Sequence, residues 1–266
     1  MTAETVTARL REGGDHRLLA GDDGLSVYRV AMQPRDTTPL GSCTASNPGP
    51  RALLGAREAY AAWTARGRST DVVGALQQKT RDELRSTFSL DDCTEIALTP
   101  SGTDVLYLLD ALVHARGQRV HHVVVGASEL GGGTVRASSG LTFSTHTPTG
   151  AVVAVGQPLD GLAERCSAEA VYLRDAQGER LRESTVDALV EERVHAAVAP
   201  GTRVVVHLVA HSKTGLRGPS FGLGQRLVEE FGAVFVQGVD DGHRVGVGED
   251  LELADRLHPV LEQFLE

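Results

Sequence analysis

A chain of 266 residues is long enough to bury one large α/β core or two smaller ones. Its hydrophobic share of 41% and charged share of 23% are ordinary for a globular protein, and a net charge of −9 with no basic stripe argues against a nucleic-acid partner. No apolar run reaches the ~18–20 residues of a membrane span, and the opening MTAETVTARLREGGDH lacks the apolar centre of a secretory signal. Cys43, Cys93 and Cys166 are too few and too scattered for a disulfide framework or a metal site, so a cytoplasmic protein with reduced thiols and no bound metal is expected. With aromatics at 4%, the core must rest on Val, Leu and Ala.

The first fifty residues are irregular, with Gly, Pro and Thr scattered through TTPLGSCTASNPGPR, and read as an arm or surface segment. Residues 51 to about 85 look helical, interrupted by Gly67 and Gly74. An N-terminal arm and helical segment over residues 1–84 is therefore expected, followed by an α/β domain over 85–266. In the second part short β-branched runs recur: EIALTP, VHHVVVGA, AVVAVG, AVYLRD, RVVVHLVA and AVFVQGVD. Their composition and their Gly, Pro or Asp borders mark strands buried in a sheet. Between some of them lie the helical stretches TDVLYLLDALVHAR, STVDALVEERVHAAV and FGLGQRLVEEFG. Strand–helix–strand units imply a three-layer sandwich with a mainly parallel central sheet. The closing LELADRLHPVLEQFLE reads as a helical stretch broken near Pro259.

Ligands of such sheets bind at the carboxyl ends of the strands, so the turns there are the place to look for chemistry. In LTPSGTD, Ser101, Gly102 and Thr103 bring hydroxyls and backbone N–H groups to a helix N-terminus, an anion site or simply a cap. VVVGASELGGGT joins three consecutive glycines to Glu129, which is a ligand contact or a solvated carboxylate. Its glycine spacing is not a dinucleotide fingerprint. HLVAHSKTGLRGPS carries Ser212, Thr214 and Gly215 in a tight polar turn. FVQGVDDGHRVGVG sets Asp240 or Asp241 three or two residues before His243, an acid–imidazole pair suited to binding a cationic ring nitrogen and moving protons, or an Asp-rich turn with a surface histidine.

Taken in order over residues 85 to about 250, these turns resemble the large domain of fold-type-I pyridoxal-phosphate enzymes. His211-Ser212-Lys213-Thr214-Gly215 is similar to that family's His-Asn-Pro-Thr-Gly turn, and Val239-Asp240-Asp241-Gly242-His243 to its Asp-Glu-Ala-His segment. The resemblance implies pyridoxal 5'-phosphate as cofactor, an amino-acid-like substrate, and transferase or lyase chemistry. Ser101, Gly102 and Thr103 would then anchor the phosphate, Asp240 would face the pyridine nitrogen, and Ser212 and His243 would lie near the phenolic oxygen, with His243 as the catalytic candidate. Glu129 and Thr214 would complete the cofactor wall.

Two departures accompany the resemblance. The GASELGGGT turn has no aromatic ring or histidine to stack on a cofactor. The family's Schiff-base lysine follows the Asp strand, yet the only lysines here are Lys79 and Lys213, and none follows Asp240. Lys213 precedes the Asp strand, as a polar loop residue would. The large domain is thus expected to be incomplete, its sheet left with an open edge after the Asp strand. The expected remedy is a second protein chain that carries the lysine and a C-terminal domain, making a split, heteromeric enzyme. A non-catalytic homologue that binds or regulates a complete relative, a remnant without function, and an unrelated α/β phosphate-ligand protein are the alternatives.

Overall fold

A computed structural model describes residues 6, 8–10, 20–31, 47–209, 212–231, 233–239 and 242–246. Two compact units are present, residues 1–99 and 100–266.

In the first unit, α1 (Pro50–Ala65) begins with proline at a position where no intrahelical N–H is needed. It ends where Gly67 and Arg68 adopt φ of 68° and 61°, a left-handed stop. α2 (Thr70–Thr87) starts directly after it, capped by the Ser69 hydroxyl, which accepts from Asp71 N. The EIALTP run is not a strand. Arg81 Nε donates to Ile96 O at 2.9 Å, and Arg85 donates to the carbonyls of Asp91 and Thr94. Of these carbonyls only that of Ile96 belongs to the run, and it is spent on an arginine side chain of α2 rather than on a neighbouring strand. The same bonds tie residues 91–96 to the helical unit, so its boundary falls fifteen residues beyond the one expected at 84.

The second unit is α/β. Its elements are α3 (Asp104–His114), β1 (Arg119–Val125), the short α4 (Thr134–Ala137), β2 (Cys166–Val171), α5 (Glu183–Ala197), β3 (Thr202–Val209), α6 (Phe221–Phe231), β4 (Val234–Val239) and β5 (Gly242–Gly246). The sheet order is β2-β1-β3-β4-β5, parallel except for β5. In register, Val123 lies beside Glu169 and Val206, and Val206 beside Phe235.

Both faces of the sheet are covered, which is why β1 and β3 read as continuous apolar runs. On one face Val123, Val125, Val204 and Val206 pack against Val186, Val190 and Val194 of α5 and Leu223 and Leu227 of α6. On the other, Val120 and Val205 pack against Leu106, Leu109 and Val113 of α3 and against Ala137 and Leu162.

Two further runs depart from expectation. AVVAVG joins no sheet; it forms an isolated bridge, His146 to Val152, and leaves Val152 76% exposed. The strand expected at AVYLRD begins earlier, at Cys166, and stops at Val171. The edge of β4 expected to lie open carries β5, paired antiparallel from Phe235–Gly246 to Val239–Gly242. The stretch at 251–266 lies outside the described residues.

Gly140 has φ of 67°, and a Cβ there would come within 2.8 Å of Ala163 N. Gly140→Ala is therefore expected to cost about 2–4 kcal/mol, from backbone strain plus a clash with main chain. Urea denaturation reads this as a lower midpoint at constant slope; an unchanged midpoint would show that the 140–163 contact is soft.

Candidate functional site

β1 ends on a tight turn at Gly126, whose φ is 68°. A Cβ at this position would meet Leu173 Cδ1 at 3.1 Å and Val209 Cγ2 at 3.3 Å, so the turn can nest between the ends of β2 and β3 only with glycine. Glu129 N and Leu130 N both donate to Gly126 O, at 2.7 and 3.1 Å, and this folds Glu129 back over the sheet. The residue is 6% exposed.

A buried carboxylate must be met by donors, and the two neighbouring strands supply them. After β3, Val209 and Gly218 bridge to close a loop over the strand end. Within it, Ser212 Oγ donates to Glu129 Oε2 at 2.5 Å, and Thr214 Oγ1 donates to the same oxygen. After β2, Arg174 Nε donates to Glu129 Oε1 at 2.9 Å, and its Nη2 donates to Thr214 Oγ1 at 3.0 Å. Arg174 Nη1 also donates to Gly178 O, in a turn whose Asp175 side chain accepts from Gln177 N and Glu179 N. Main-chain ties reinforce the contact: Lys213 N donates to Glu129 O, and Lys213 Nζ donates to Leu130 O at 2.6 Å.

Burial raises the proton affinity of Glu129, but the bonds from Ser212, Thr214 and Arg174, with the arginine charge, outweigh it and hold the carboxyl below its ordinary range. The side chain of Arg174 stays 35% exposed, so its charge faces the mouth of the site while neutralising the acid beneath.

The Ser101–Thr103 turn lies beside the glycine-rich one. Ser101 Oγ donates to Asp104 Oδ2 at 2.6 Å and accepts from Asp104 N, a local cap at the start of α3. Thr103, the residue at the cap position, makes no side-chain capping bond. A Cβ on Gly131 would sit 3.5 Å from Thr134 Oγ1 and 3.8 Å from Thr103 Oγ1. The two threonine hydroxyls therefore flank a space that any side chain at 131 would fill. Gly133 has a different cause, since a Cβ there would collide with the Phe143 ring at 2.8–2.9 Å.

Of the residues expected at a cofactor site, Glu129, Ser212 and Thr214 form one cluster, and Thr103 adjoins the glycine turn that follows Glu129. The hydroxyl of Ser212 is fully engaged: it donates to Glu129 and accepts from Leu216 N at 2.9 Å and Thr214 N at 3.3 Å. A ligand oxygen would have to compete with Glu129 for its proton. Asp240 lies outside the described residues. His243 stands on β5 opposite Gly238, and its side chain lies outside them too. A cleft of about 230 Å³ bounded by Leu208, Val209, Arg217 and Phe221 includes none of the expected cofactor residues. Among the described residues no group of three or more His, Cys, Asp or Glu is arranged to hold a metal ion, and no helix is long and apolar enough to cross a membrane.

Sequence reasoning missed Arg174 and a second buried polar cluster. Between α3 and the sheet, His122 Nε2 bonds Asp110 Oδ1 at 2.7 Å, and His122 Nδ1 bonds His207 Nε2 at 2.9 Å. All three are buried. The signal was present: an acid in the middle of an apolar helix, and histidines inside two strands otherwise rich in valine. Cys166 is near this cluster, and burial followed by the Asp110 charge pushes its thiol up, making it an inert core group.

No protein-family model, curated protein or solved structure matches this chain.

Because Glu129 is depressed in the folded state, it contributes stability that is complete above its unfolded value of 4.5 and is lost as pH falls through the lower folded value. Thermal melts of wild type are expected to drop below pH 4.5 more steeply than those of Glu129→Gln. Parallel curves for the two proteins would mean that the carboxylate is not clamped as described.

Proposed function

We propose that this chain forms the cofactor-cradling half of a fold-type-I pyridoxal-phosphate enzyme of transferase or lyase type, acting on an amino-acid-like substrate, with the anchoring lysine and a C-terminal domain supplied by a partner chain. One observation carries the reading: Glu129, Ser212 and Thr214 meet at the point where the strand order reverses. In the order β2-β1-β3-β4 the chain steps to one side of β1 to form β2 and to the other side to form β3. The crevice between the carboxyl ends of β1 and β3 is where open α/β sheets bind ligands.

The phosphate end of such a cofactor fits the residues present. Gly131 leaves a space bounded by two threonine hydroxyls, next to the N-terminus of α3, where backbone donors and the helix dipole favour an anion. Ser101, Gly102 and Thr103 would hold the phosphate there, with Thr134 opposite. Glu129 would repel an anion if it stood alone, but Arg174 cancels its charge and leaves the wall neutral. At the ring end the resemblance assigns Asp240 to the pyridine nitrogen and His243 to the phenolic side. When bound, the cofactor supplies an electron sink for charge developing on a substrate carbon.

The anchoring amine comes from neither lysine of this sequence. Lys79 pairs with Glu83 on α2 in the first unit. Lys213 lies in the turn after β3, its amine bonded to the Leu130 carbonyl. The case for a partner rests on this missing amine, since β5 covers the edge of β4. A cytoplasmic setting accompanies the reading, because Cys93 and Cys166 are free thiols. One observation favours a second reading, a non-catalytic homologue that binds or regulates a complete relative: Ser212 gives its only proton to Glu129 and has none to spare for a cofactor oxygen.

Affinity purification with mass analysis is expected to recover a lysine-bearing partner, and borohydride reduction of the complex to fix pyridoxal phosphate on that chain. Thr103→Ala is expected to weaken cofactor binding by about tenfold, the worth of one bond to a charged oxygen. Cofactor fixed on the isolated 266-residue chain, and lost in Lys213→Ala, would overturn the assignment of the amine to a partner. Recovery of a complete relative that already carries its own lysine would favour the regulatory reading.

A further inference from the structure

The α3 helix is apolar almost all round. Of the eleven residues Asp104–His114, all but Asp104, Tyr107, Asp110 and His114 are Val, Leu or Ala. Hydrophobic burial alone therefore specifies its position poorly. A rotation of one residue, or a slide of one turn that puts Leu106 where Asp110 stands, would still bury aliphatic side chains against β1 and β3. A slide of one turn is ~5.4 Å, enough to carry Thr103 away from Gly131.

One buried residue of α3 breaks that degeneracy. Asp110 is fully buried and meets the sheet at His122 Nε2, at 2.7 Å, with the Cys166 thiol of β2 also close enough to feel its carboxylate. His122 is in turn fixed by His207 on the adjacent strand at 2.9 Å. Only one rotation and one height of α3 bring the carboxylate onto that imidazole. The arrangement is not optimised for stability: Asp110 Oδ2 is buried with no hydrogen-bond partner among the described residues, a condition under which aliphatic replacements are often neutral or stabilising. Buried polar groups of this kind are best attested as devices that fix register.

We propose that the chain Asp110–His122–His207 is a positioning element that sets the register of α3 on the sheet, and so places the Ser101–Thr103 turn beside Gly131. The proposal rests on the preceding reading only in naming a phosphate as what that turn receives; the register itself has its own readout. Tyr107, on α3, stacks on Phe143 with ring centroids 5.8 Å apart and donates to Leu141 O at 2.6 Å. Neither contact survives a slide of one turn.

The test is the triple variant Asp110→Leu, His122→Leu, His207→Leu, studied in the full chain by thermal melting and by ring-to-ring NOEs between Tyr107 and Phe143. The expected result is a melting temperature equal to or above wild type, together with loss of the Tyr107–Phe143 cross-peaks or a doubling of the Tyr107 ring signals. A single wild-type set of cross-peaks would overturn the proposal. Asp110→Ala, which leaves the two histidines to bond each other, gives an independent reading and is expected to show the same doubling. If neither variant folds, the network is a stability element and the proposal fails. Titration with pyridoxal 5'-phosphate and with inorganic phosphate separates this inference from the functional reading. A shifted register with unchanged phosphate affinity leaves the register claim standing and removes the phosphate from the Ser101–Thr103 turn.

Discussion

Once Glu129 is folded under the Gly126 turn, its carboxylate has left water and must be supplied with donors from the protein. Three come, from two other strand ends, and they add side-chain bonds to segments that the main chain already closes through the bridges Val209–Gly218 and Arg174–Arg180. The hydroxyls of Ser212 and Thr214 hold the loop after β3, and the guanidinium of Arg174 holds the turn after β2. Removing the acid would leave Arg174 without its countercharge; removing Arg174 would leave a buried negative charge held by neutral groups. Because Arg174 is itself 35% exposed, the loss is smaller than for a fully buried pair. One acid thus ties together three strand ends whose loops also hold themselves by main-chain bonds.

The opposite layer repeats the logic with other chemistry. Asp110 is brought into an aliphatic layer by α3 and met by an imidazole from β1, itself backed by one from β3. In both places a carboxylate is the one group whose requirements cannot be met by a sliding or rotated neighbour. Apolar packing supplies the driving force on both faces of the sheet, while the two acids select among arrangements that packing would tolerate equally. The Glu129 cluster joins strand ends; the Asp110 chain joins a helix to strands. Between them they govern how the Ser101–Thr103 turn and the Ser212–Thr214 turn face the same crevice.

The turns after β1 and β3 differ in what their polar groups already hold. Thr103 and Thr134 flank the position where Gly131 carries no side chain, next to the N-terminus of α3. Ser212 is turned instead toward Glu129, which makes it part of the wall. An asparagine in its place would have two amide hydrogens to share, whereas a serine has one, and here it is spent.

Elements with a strong period or a continuous apolar run were legible from the sequence: α3, α5, α6 and the strands β1, β3 and β4 lie where their residues place them, because burial on one or both faces leaves a mark in every turn or pair of residues. Weak runs misled. EIALTP has strand composition, but its Ile96 carbonyl is claimed by Arg81, fifteen positions away, and AVVAVG pairs only through the local bridge of Val152 to His146. The sequence could also name Glu129, Ser212 and Thr214 as polar residues in turns at strand ends, since local spacing is enough for that. Their meeting, across separations of 83 and 85 residues, followed from strand order, which no local pattern encodes. Arg174, Asp110, His122 and His207 gained their roles in the same way: a charged or imidazole side chain has meaning only through what stands opposite, and only the folded sheet decided what that was.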